Sequence, residues 1–384
     1  MRPLRGGPVA KIAAELRELH EASASGREVG PAGWLLLRAV GAVAQAARWV
    51  KHTLYRMRVL PRTHVPALTI SVGNVTTGGS GKTPLAAWIA EVLAGEEARV
   101  VLLSRGYGRD PGPWAVWASK DGKVLATPRT VGDEAWLLAR TVPQADVLVG
   151  KRRAATAKLA WRERAPDAVV LDDGFQYWRL TRDLDVVTLD LPLEPARLRP
   201  FPVGVLREPL ERLGAADLVV LTGAVGDERA LAEARALLAR VAPSVPWMKA
   251  RYVATGLREA GRQAGFSLEA AKGRRAVALT AIGRPGGFVR ALEDLGCEAV
   301  LAAPYPDHHR FTRHELEHET RRARAWGADL IVMTAKDEAN LPAGYRFTMQ
   351  ALVLETEFAV ENGDGPALYD MLRGRLAHRR PGMG

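Results

Sequence analysis

Residues 68–95 read LTISVGNVTTGGSGKTPLAAWIAEVLAG, and this stretch decides the class of fold. It opens with an apolar run that predicts a buried strand and closes with one that predicts a helix. Between them lies a turn with glycines at positions 78, 79 and 81, followed by Lys82 and Thr83. A strand, a glycine-rich turn ending in Gly-Lys-Thr and a helix are typical of a loop that binds phosphate. One position departs from the usual G-x-x-x-x-G-K-[ST] pattern, because Thr76 stands where the first glycine is expected.

The physical requirements of such a loop can be met without that glycine. Backbone N–H groups must point at the anion, and the N-terminus of the helix must face it. Lys82 would reach the β- and γ-phosphates, and the Thr83 hydroxyl would ligate Mg²⁺. The alternative is a glycine-rich turn before a core helix, but the lysine and threonine in register favour nucleotide binding. The predicted nucleotide-binding residues are Thr76, Thr77, Gly78, Gly79, Ser80, Gly81, Lys82 and Thr83.

Short apolar runs continue along the chain, separated by helical stretches. Six runs lie between residues 68 and 223, and four more follow residue 275. Continuous apolar runs of this length predict strands of a parallel sheet that is buried on both faces. We therefore expect an α/β fold: a mostly parallel P-loop domain with helices on both faces, a second smaller α/β domain and an N-terminal amphipathic helix. The expected divisions are an extension (1–30), the amphipathic helix (31–62), the P-loop core (63–225), a helix and β-type linker (226–255), the second domain (256–375) and a mobile tail (376–384).

Composition limits the compartment and the partners. The chain has 384 residues, a formal net charge of +11 and a single cysteine, Cys297. One cysteine excludes an intrachain disulfide and fits a reducing, cytosol-facing compartment. The positive charge indicates an anionic partner, which could be a nucleotide, an anionic lipid surface or nucleic acid. No aromatic-rich stacking motif supports nucleic acid, and no secretory signal is visible in the first thirty residues.

The segment from Trp34 to Met57 predicts one long amphipathic helix. Its arginines and Lys51 interrupt the roughly 20 apolar residues that a membrane crossing requires. A basic amphipathic helix with tryptophans can instead lie in the interface of an anionic membrane. The alternative is an ordinary helix that buries its apolar face in the core. The residue pattern alone favours the ordinary helix.

Acidic and basic residues follow the ends of several predicted strands, where parallel sheets bind ligands. Asp172 and Asp173 end one strand, at the place where a P-loop protein holds its metal. Asp133 and Glu134 begin a predicted helix, where an aspartate most often serves as a cap. Basic and aromatic residues close two other strands, at Arg105, Tyr107 and Arg109 and at Lys151, Arg152 and Arg153.

The second predicted domain contributes Asp307, His308 and His309 after a strand. An Asp-His-His run can ligate metal, or it can tune a carboxylate on the facing domain. No second acidic cluster lies nearby in the sequence, so tuning is the better interpretation. Histidines that only line a loop remain the third possibility.

Taken together, these motifs resemble one family. The segments SVGNVTTGGSGKTP, LSRGYGR, GDEAWLLA, DDGFQ, LREPL, AIGRPGGF, PDHHRFT and TAKD follow one another in the order seen in tetraacyldisaccharide 4′-kinases. The resemblance covers roughly Trp34 to Glu357, and the hydroxyl residue at position 76 belongs to that family's pattern. It implies a lipid kinase that transfers the ATP γ-phosphate, with Mg²⁺, to the 4′-hydroxyl of an acylated glucosamine disaccharide 1-phosphate in lipid A biosynthesis.

The resemblance also implies roles for individual residues. Asp133 resembles the general base, with His308 as its partner and Lys82 at the phosphates. Thr83 and Asp172 resemble the metal ligands, and Glu134 is a weaker candidate. It further implies that the N-terminal helix docks the protein on the cytoplasmic face of the bacterial inner membrane. The positions expected to line the substrate site are Arg105, Tyr107, Arg153, Asp173 and Gln176.

The sequence departs from the family pattern at three places. Tyr177 stands where histidine is usual, Arg152 where aspartate is usual, and Ala135 where proline is usual. The main alternative function is a P-loop GTPase or ATPase of the metallochaperone type. Guanine specificity normally needs an N-K-x-D motif, which the TAKD segment does not supply. The oligomeric state is not predicted by the sequence.

Overall fold

The computed structural model describes residues 30–78, 81–195, 197–224, 226–262, 264–361 and 365–379, together with residue 19. Most of the predicted N-terminal extension, Gly79 and Ser80 of the phosphate loop, and residues 380–384 of the predicted tail lie outside the described residues. We call residues 63–224 the first lobe and residues 256–361 the second lobe.

Helices and strands alternate through both lobes, as the apolar runs predicted. The helices are α1 (Pro31–Arg56), α2 (Lys82–Gly95), α3 (Pro128–Val131), α4 (Asp133–Thr141), α5 (Arg153–Arg164), α6 (Glu228–Val241), α7 (Pro285–Asp294), α8 (Arg313–Trp326), α9 (Ala335–Ala339) and α10 (Gly365–Arg379). The strands of the first lobe are β1 (Leu68–Asn74), β2 (Val100–Ser104), β3 (Ala115–Lys120), β4 (Lys123–Val124), β5 (Asp146–Gly150), β6 (Ala168–Asp172), β7 (Leu184–Leu191) and β8 (Leu218–Gly223). The remaining strands are β9 (Trp247–Glu259), β10 (Gly265–Phe266), β11 (Arg275–Thr280), β12 (Ala299–Pro304), β13 (Leu330–Thr334) and β14 (Ala351–Val360).

One sheet runs through both lobes, in the order β12-β11-β13-β14-β9-β8-β7-β1-β6-β2-β5-β3-β4, with β10 beside β9. Most neighbouring strands are parallel, which confirms the predicted α/β class. The segment 226–255 does contain the predicted helix, but its β-type part belongs to the sheet. Strand β9 pairs in parallel with β8 at Trp247 and antiparallel with β14 from Ala250 onward. Its length lets one strand serve both lobes.

The strands that carry the phosphate loop are buried on both faces. All residues of β1, β2, β5 and β6 are buried. Apolar clusters cover both faces, because helices pack on each side of the sheet. The carboxyl ends of β1, β2, β5 and β6 therefore open at one rigid edge, where the polar residues predicted from the sequence lie.

Helix α10 returns from the end of the second lobe to the first. Its side chains Leu368, Leu372 and Leu376 are buried in the same cluster as Leu85 and Ile89 of α2. The prediction of a mobile tail from residue 376 was therefore wrong for residues 376–379, which continue the helix. Leucines four residues apart share one helix face, and this spacing was the signal for a packed helix.

Helix α1 packs on the protein through its polar side. Leu37, Gly41 and Tyr55 are buried, and the residues between them on the same face, Gln45, Arg48 and His52, are half-buried. Five large apolar side chains of α1 face outward and are exposed: Leu35, Leu36, Val43, Trp49 and Val50. The interpretation of α1 as a helix that buries its apolar face in the core was therefore wrong. Among the residues that the structure describes, no helix has the length and apolar character needed to cross a membrane.

Candidate active site

The phosphate loop joins β1 to α2. Its shape explains why glycine is needed at position 81 and why Thr76 can stand in place of the first glycine. Gly81 has a φ of 74°, the left-handed conformation that favours glycine. A Cβ at this position would also lie 3.2 Å from both Thr222 Cγ2 and Tyr252 Oη. Thr76 is not among the residues with positive φ, and its backbone forms a bridge with Leu206. The first position of the loop therefore tolerates a side chain, while the last does not.

Lys82 and Thr83 begin α2 and face the acidic end of β6. The Thr83 hydroxyl lies 3.3 and 3.2 Å from the two carboxylate oxygens of Asp172. Lys82 Nζ donates to the Gly78 carbonyl at 3.3 Å and lies 3.8 Å from Asp173 Oδ1. Burial lowers the pKa of Lys82, although Asp173 raises it. The structure thus brings together the lysine, the hydroxyl and the carboxylate that the sequence predicted.

The neighbouring carboxylates Asp172 and Asp173 have opposite electrostatic surroundings. Burial, with the charges of Glu134 and Asp173, raises the pKa of Asp172 to about 7. Desolvation opposes the charged form of the half-buried Asp173, but Lys82 and three arginines, Arg207, Arg153 and Arg105, hold its pKa below the usual range. One of these is Arg207, whose Nη1 lies 3.0 Å from Asp173 Oδ1. Arg207 lies in the LREPL segment, and the sequence pattern did not indicate that this arginine belongs to the site.

Asp133 and His308 meet across the two lobes. Asp133 Oδ2 lies 2.8 Å from His308 Nδ1, and the Asp133 side chain is only 5% exposed. Burial opposes the charged form of Asp133, but His308, Lys336 and Asn340 outweigh this and lower its pKa. Burial also opposes the charged form of His308, yet its hydrogen bond to Asp133 raises its pKa above the ordinary value. Residues 175 positions apart in the chain thus form one hydrogen-bonded pair.

A glycine is required at position 132, directly before Asp133, because the backbone of Tyr107 lies very close to it. Gly132 has a φ of 91°, and a Cβ there would lie 2.4 Å from the Tyr107 carbonyl oxygen. This contact ties the start of α4 to the loop after β2. The Tyr107 ring lies over His308, with ring centroids 4.8 Å apart. The GDE and LSRGYGR motifs are therefore parts of one arrangement.

The other predicted substrate residues lie around Asp172 and Asp173. Arg153 donates to the backbone oxygens of Asp172 and Asp173 at 3.1 and 2.5 Å. Gln176 donates to the Asn74 carbonyl at 2.6 Å. Arg105 contributes a positive charge that lowers the pKa of Asp173. Arg153 and Gln176 shape the backbone of the site, which their sequence pattern did not reveal.

Two residues of the second lobe were missed by sequence reasoning. Lys336, of the TAKD segment, lies 3.4 Å from Glu134 Oε1 and 3.0 Å from Asp307 Oδ1. Asn340 Nδ2 donates to Asp133 Oδ2 at 3.0 Å. Their spacing of four residues on one helix was the available signal, because such residues share a face. The sequence does not indicate which residues the shared face of Lys336 and Asn340 contacts.

The donor set fits a magnesium-bound nucleotide. Magnesium prefers oxygen ligands and usually takes only one or two from the protein, with phosphates and water supplying the rest. The Thr83 hydroxyl beside the Asp172 carboxylate matches that need. In the described part of the chain, no group of three or more His, Cys, Asp or Glu side chains forms a metal cluster. The raised pKa of Asp172 indicates a carboxylate that a nearby cation would stabilise in its charged form.

A strand, a glycine-rich turn that ends in Lys-Thr, and an aspartate on the adjacent strand define the P-loop class of α/β nucleotide-binding proteins. Residues 33–377 match the model of the family described as tetraacyldisaccharide-1-P 4′-kinase, LpxK. The chain belongs to this family.

Individual relatives agree with this assignment. The tetraacyldisaccharide 4′-kinase of Anaeromyxobacter sp. (strain K) is 43% identical over 299 residues, which are 78% of this chain and 79% of that protein. The tetraacyldisaccharide 4′-kinase of Pelobacter propionicus is 35% identical over 333 residues, 85% of this chain and 88% of that protein. A crystal structure of the "apo" form of LpxK from Aquifex aeolicus in complex with ATP has a TM-score of 0.66 and 26% identity. It covers 88% of this chain and 97% of that one.

Proposed function

We propose that this protein transfers the γ-phosphate of ATP to the 4′-hydroxyl of a tetraacylated glucosamine disaccharide 1-phosphate. The observation that carries the proposal is the 2.8 Å contact between Asp133 and His308, formed beside the phosphate loop. A phosphate loop alone binds a nucleotide, whereas transfer to an alcohol also needs a base for the alcohol's proton. Family membership supplies the acceptor class.

Asp133 is suited to act as that base. Its lowered pKa keeps it ionised at neutral pH, so it can accept a proton. Two donors, His308 Nδ1 and Asn340 Nδ2, contact Oδ2. Oδ1 accepts the Glu134 backbone N–H at 2.9 Å. A carboxylate oxygen has two lone pairs, so Oδ1 keeps capacity for a substrate hydroxyl.

The transfer follows from this arrangement. The 4′-oxygen forms a bond to the γ-phosphorus as its proton passes to Asp133, and the bond from that phosphorus to the β–γ bridging oxygen breaks, releasing ADP. Lys82 and the backbone N–H groups of the loop hold the phosphates. Thr83 and Asp172 would hold Mg²⁺, with Glu134 as a weaker candidate; the ion neutralises charge on the phosphates. His308 fixes the orientation of Asp133 and shares the charge of the proton it receives.

The positive and polar residues around Asp173 form the proposed substrate lining. Tyr107 lies against His308, Gln176 donates to the Asn74 carbonyl, and Arg105 is near enough to lower the pKa of Asp173. Arg153 and Asp173 belong to the same set, in which Asp173 pairs with Lys82 and Arg207 and the cations outnumber this carboxylate. A charged lining of this kind favours an acceptor that itself carries a phosphate.

Helix α1 is the proposed membrane contact, on the cytoplasmic face of the inner membrane. Its exposed side chains include Val43 and Trp49, both 70% exposed. Burying such side chains in the lipid interface is favourable, whereas leaving them in water is not. Basic residues on the same helix would meet anionic headgroups. Docking there would present the acylated acceptor without removing it from the bilayer.

The division into two lobes is part of the proposal. We infer that the two lobes, predicted from the sequence as residues 63–225 and 256–375, move relative to one another and that closing them assembles the Asp133–His308 pair. The last part of the predicted second domain belongs with the first lobe, because Leu368 and Leu372 are buried there. Because the pair needs a residue from each lobe, an open protein would lack the complete base. Closure would also exclude water and suppress ATP hydrolysis.

The proposed base predicts the behaviour of Asp133→Asn. We expect kcat for transfer to fall by about 10²–10⁴-fold, since an amide cannot accept the proton. ATP affinity should change little, because Asp133 does not belong to the phosphate loop. The measurement is transfer of label from ATP to the tetraacylated disaccharide monophosphate in detergent micelles, with nucleotide binding measured separately.

Lys82→Ala serves as the contrasting variant, because it should weaken nucleotide binding itself. GTP offered in place of ATP tests the metallochaperone-type alternative. An absence of acceptor-stimulated transfer by the wild-type protein would refute the proposed function. Full activity of Asp133→Asn would remove only the role given to Asp133.

A further inference from the structure

The TAKD segment forms an element that the proposed reaction does not yet use. Its residues begin the short helix α9, directly after β13. The Thr334 hydroxyl and the Asp337 carboxylate cap the helix, with Thr334 Oγ1 donating to Asp337 Oδ2 at 2.6 Å. Asp337 is fully buried and also accepts the Ala281 backbone N–H at 2.6 Å. The start of α9 is therefore fixed to the sheet.

The far side of α9 is also anchored. Glu338 accepts two hydrogen bonds from Arg258, at 2.9 and 2.5 Å, in a side-by-side geometry. Arg140 of the first lobe lies 3.7 Å from the same carboxylate. Bidentate arginine–carboxylate pairs fix orientation as well as distance. A helix of five residues held at its start and on one side is a rigid support.

The opposite side of α9 faces the Asp133–His308 pair. Lys336 and Asn340 are four residues apart and lie on the same face. Lys336 Nζ is 3.4 Å from His308 Nε2, and Asn340 Nδ2 is 3.0 Å from Asp133 Oδ2. Lys336 is 18% exposed and also contacts Glu134 and Asp307. One helix thus contacts both members of the pair.

These contacts determine which ring nitrogen of His308 carries the proton. An ammonium group has three N–H donors and no acceptor. The ammonium of Lys336 lies nearer to Nε2, at 3.4 Å, than the carboxylates of Asp307 and Glu134, at 3.7 and 4.0 Å. Nε2 therefore accepts from Lys336, and the proton of the neutral ring belongs on Nδ1. Nδ1 then donates to Asp133, in agreement with the 2.8 Å distance. The other ring form would turn an N–H toward the ammonium and remove the hydrogen bond that His308 donates to Asp133.

We propose that Lys336 and Asn340 are positioning residues, which hold the proton of His308 on Nδ1 and the carboxylate of Asp133 in one orientation. The consequence for kinetics rests on the proposed role of Asp133 as the base. The position of the proton on His308 does not rest on that role, because it is a property of the protein without substrate. The two parts can therefore fail separately.

The proton position is tested by nitrogen NMR of the histidine rings in the full chain. Spectra taken at about pH 9, well above the usual histidine pKa, report the neutral ring. His308→Gln identifies the signal among those of the other histidines. We expect the Nδ1–H form in the wild-type protein and a mixture of the two forms in Lys336→Met. The proposal is overturned if the wild type carries its proton on Nε2 or if Lys336→Met changes nothing.

The kinetic test separates positioning from nucleotide binding. Lys336→Met should lower kcat by about 10–100-fold, the scale expected when a reacting group is misplaced, with KM for ATP nearly unchanged. Asn340→Ala should lower kcat less, by about 3–10-fold, because Asp133 keeps its other donors. Lys336→Arg restores a cationic donor and should recover part of the loss.

Lys272→Met is the matched control, since it makes the same change at a lysine 68% exposed in the second lobe. It should leave kcat and KM at wild-type values. A rise in KM for ATP with kcat unchanged would identify Lys336 as a nucleotide ligand and refute the positioning role. If Lys336→Met does not fold, Asn340→Ala and Lys336→Arg decide the question by the same comparison.

Discussion

At the scale of residues, the site depends on two adjacent aspartates with opposite surroundings. Asp172 faces Glu134 and Asp173 in a buried setting, which raises its pKa to about 7. Asp173 points to Lys82 and Arg207, which lower its pKa despite burial. The backbone at Asp173 takes a φ of 54°, in the left-handed region, and this turn sends the two side chains in different directions. The two aspartates therefore differ in role. Asp172 is suited to bind a cation, whereas Asp173 is paired with Lys82 and Arg207.

This difference predicts opposite effects of Asp172→Asn and Asp173→Asn on stability without nucleotide or metal. Because the pKa of Asp172 is raised on folding, its charge costs stability as the pH rises from about 4 to about 7. Asp172→Asn should therefore increase the free energy of unfolding by about 1–3 kcal/mol at pH 8, and the gain should shrink toward pH 4. Urea unfolding in the presence of EDTA measures it.

Asp173→Asn provides the comparison, because its lowered pKa means that the charged form stabilises the fold at neutral pH. We expect this variant to lose stability at pH 8, since Lys82 and Arg207 lose their carboxylate. Equal losses in both variants would contradict the electrostatic account. Asp172→Asn should also lose magnesium-dependent transfer even though the protein is more stable.

At the scale of elements, α1 presents its apolar side outward. An ordinary surface helix turns its apolar side toward the core. Here the side facing the protein carries Gln45, Arg48 and His52, and the His52 ring contacts Trp178 in a tilted arrangement with ring centroids 4.6 Å apart. Burial and nearby arginines lower the pKa of His52 to about 4, so it is neutral at pH 7. The polar side of α1 thus contacts the rest of the protein. The apolar side is left exposed, where it can contact a lipid surface.

Val43→Asp tests that use. It adds a charge at an exposed position without touching the core, so folding should be unaffected. Binding to vesicles that contain anionic lipid should weaken roughly tenfold, because one apolar side chain no longer enters the lipid interface. Co-sedimentation with vesicles gives the measurement. Val124→Asp is the control, since Val124 of β4 is also exposed, at 41%. Equal vesicle binding by the two variants would remove α1 from the membrane contact.

The β3–β4 hairpin is an element that sequence reasoning missed, although its turn carried a signal. Asp121 and Gly122 join the strands, and both have positive φ, at 50° and 73°. An Asp-Gly pair between strands is typical of a tight hairpin turn. The half-buried strand β3 lies near the edge of the sheet and lacks a continuous apolar run. A continuous apolar run is the signal for a buried strand, so this signal did not indicate β3.

At the scale of the whole molecule, the two lobes share a sheet and also touch through side chains above it. Arg310 of the second lobe donates to Asp110 Oδ1 at 2.7 Å and to the Gly108 carbonyl at 2.5 Å. Lys336 and His308 reach the first lobe beside this contact. These interactions hold the lobes in the arrangement that completes the site. The Arg310 contacts are exposed and polar, so each contributes only modestly to stability.

Arg310→Ala should therefore reduce catalysis more than stability. The loss of one exposed ion pair costs about 0.2–1 kcal/mol, which corresponds to at most about a fivefold fall in kcat/KM if closure is required. The wild-type kcat/KM should fall as ionic strength rises, since salt screens the pair, and the variant should respond less. Arg262→Ala removes an exposed ion pair within the second lobe and should not alter this dependence. Identical salt curves for Arg310→Ala and the wild type would exclude a role in closure.

The sequence by itself determined the α/β class, the phosphate loop and most of the strands, because local runs and glycine spacing encode these features. It also placed Asp133 and His308 among the candidate residues through family resemblance. Only the tertiary structure decided that β9 joins the two lobes, that α1 turns its apolar side outward, and that Arg207, Lys336 and Asn340 belong to the site. These features depend on contacts between residues distant in the chain, and the pattern within one segment does not specify which surface of another segment it will meet.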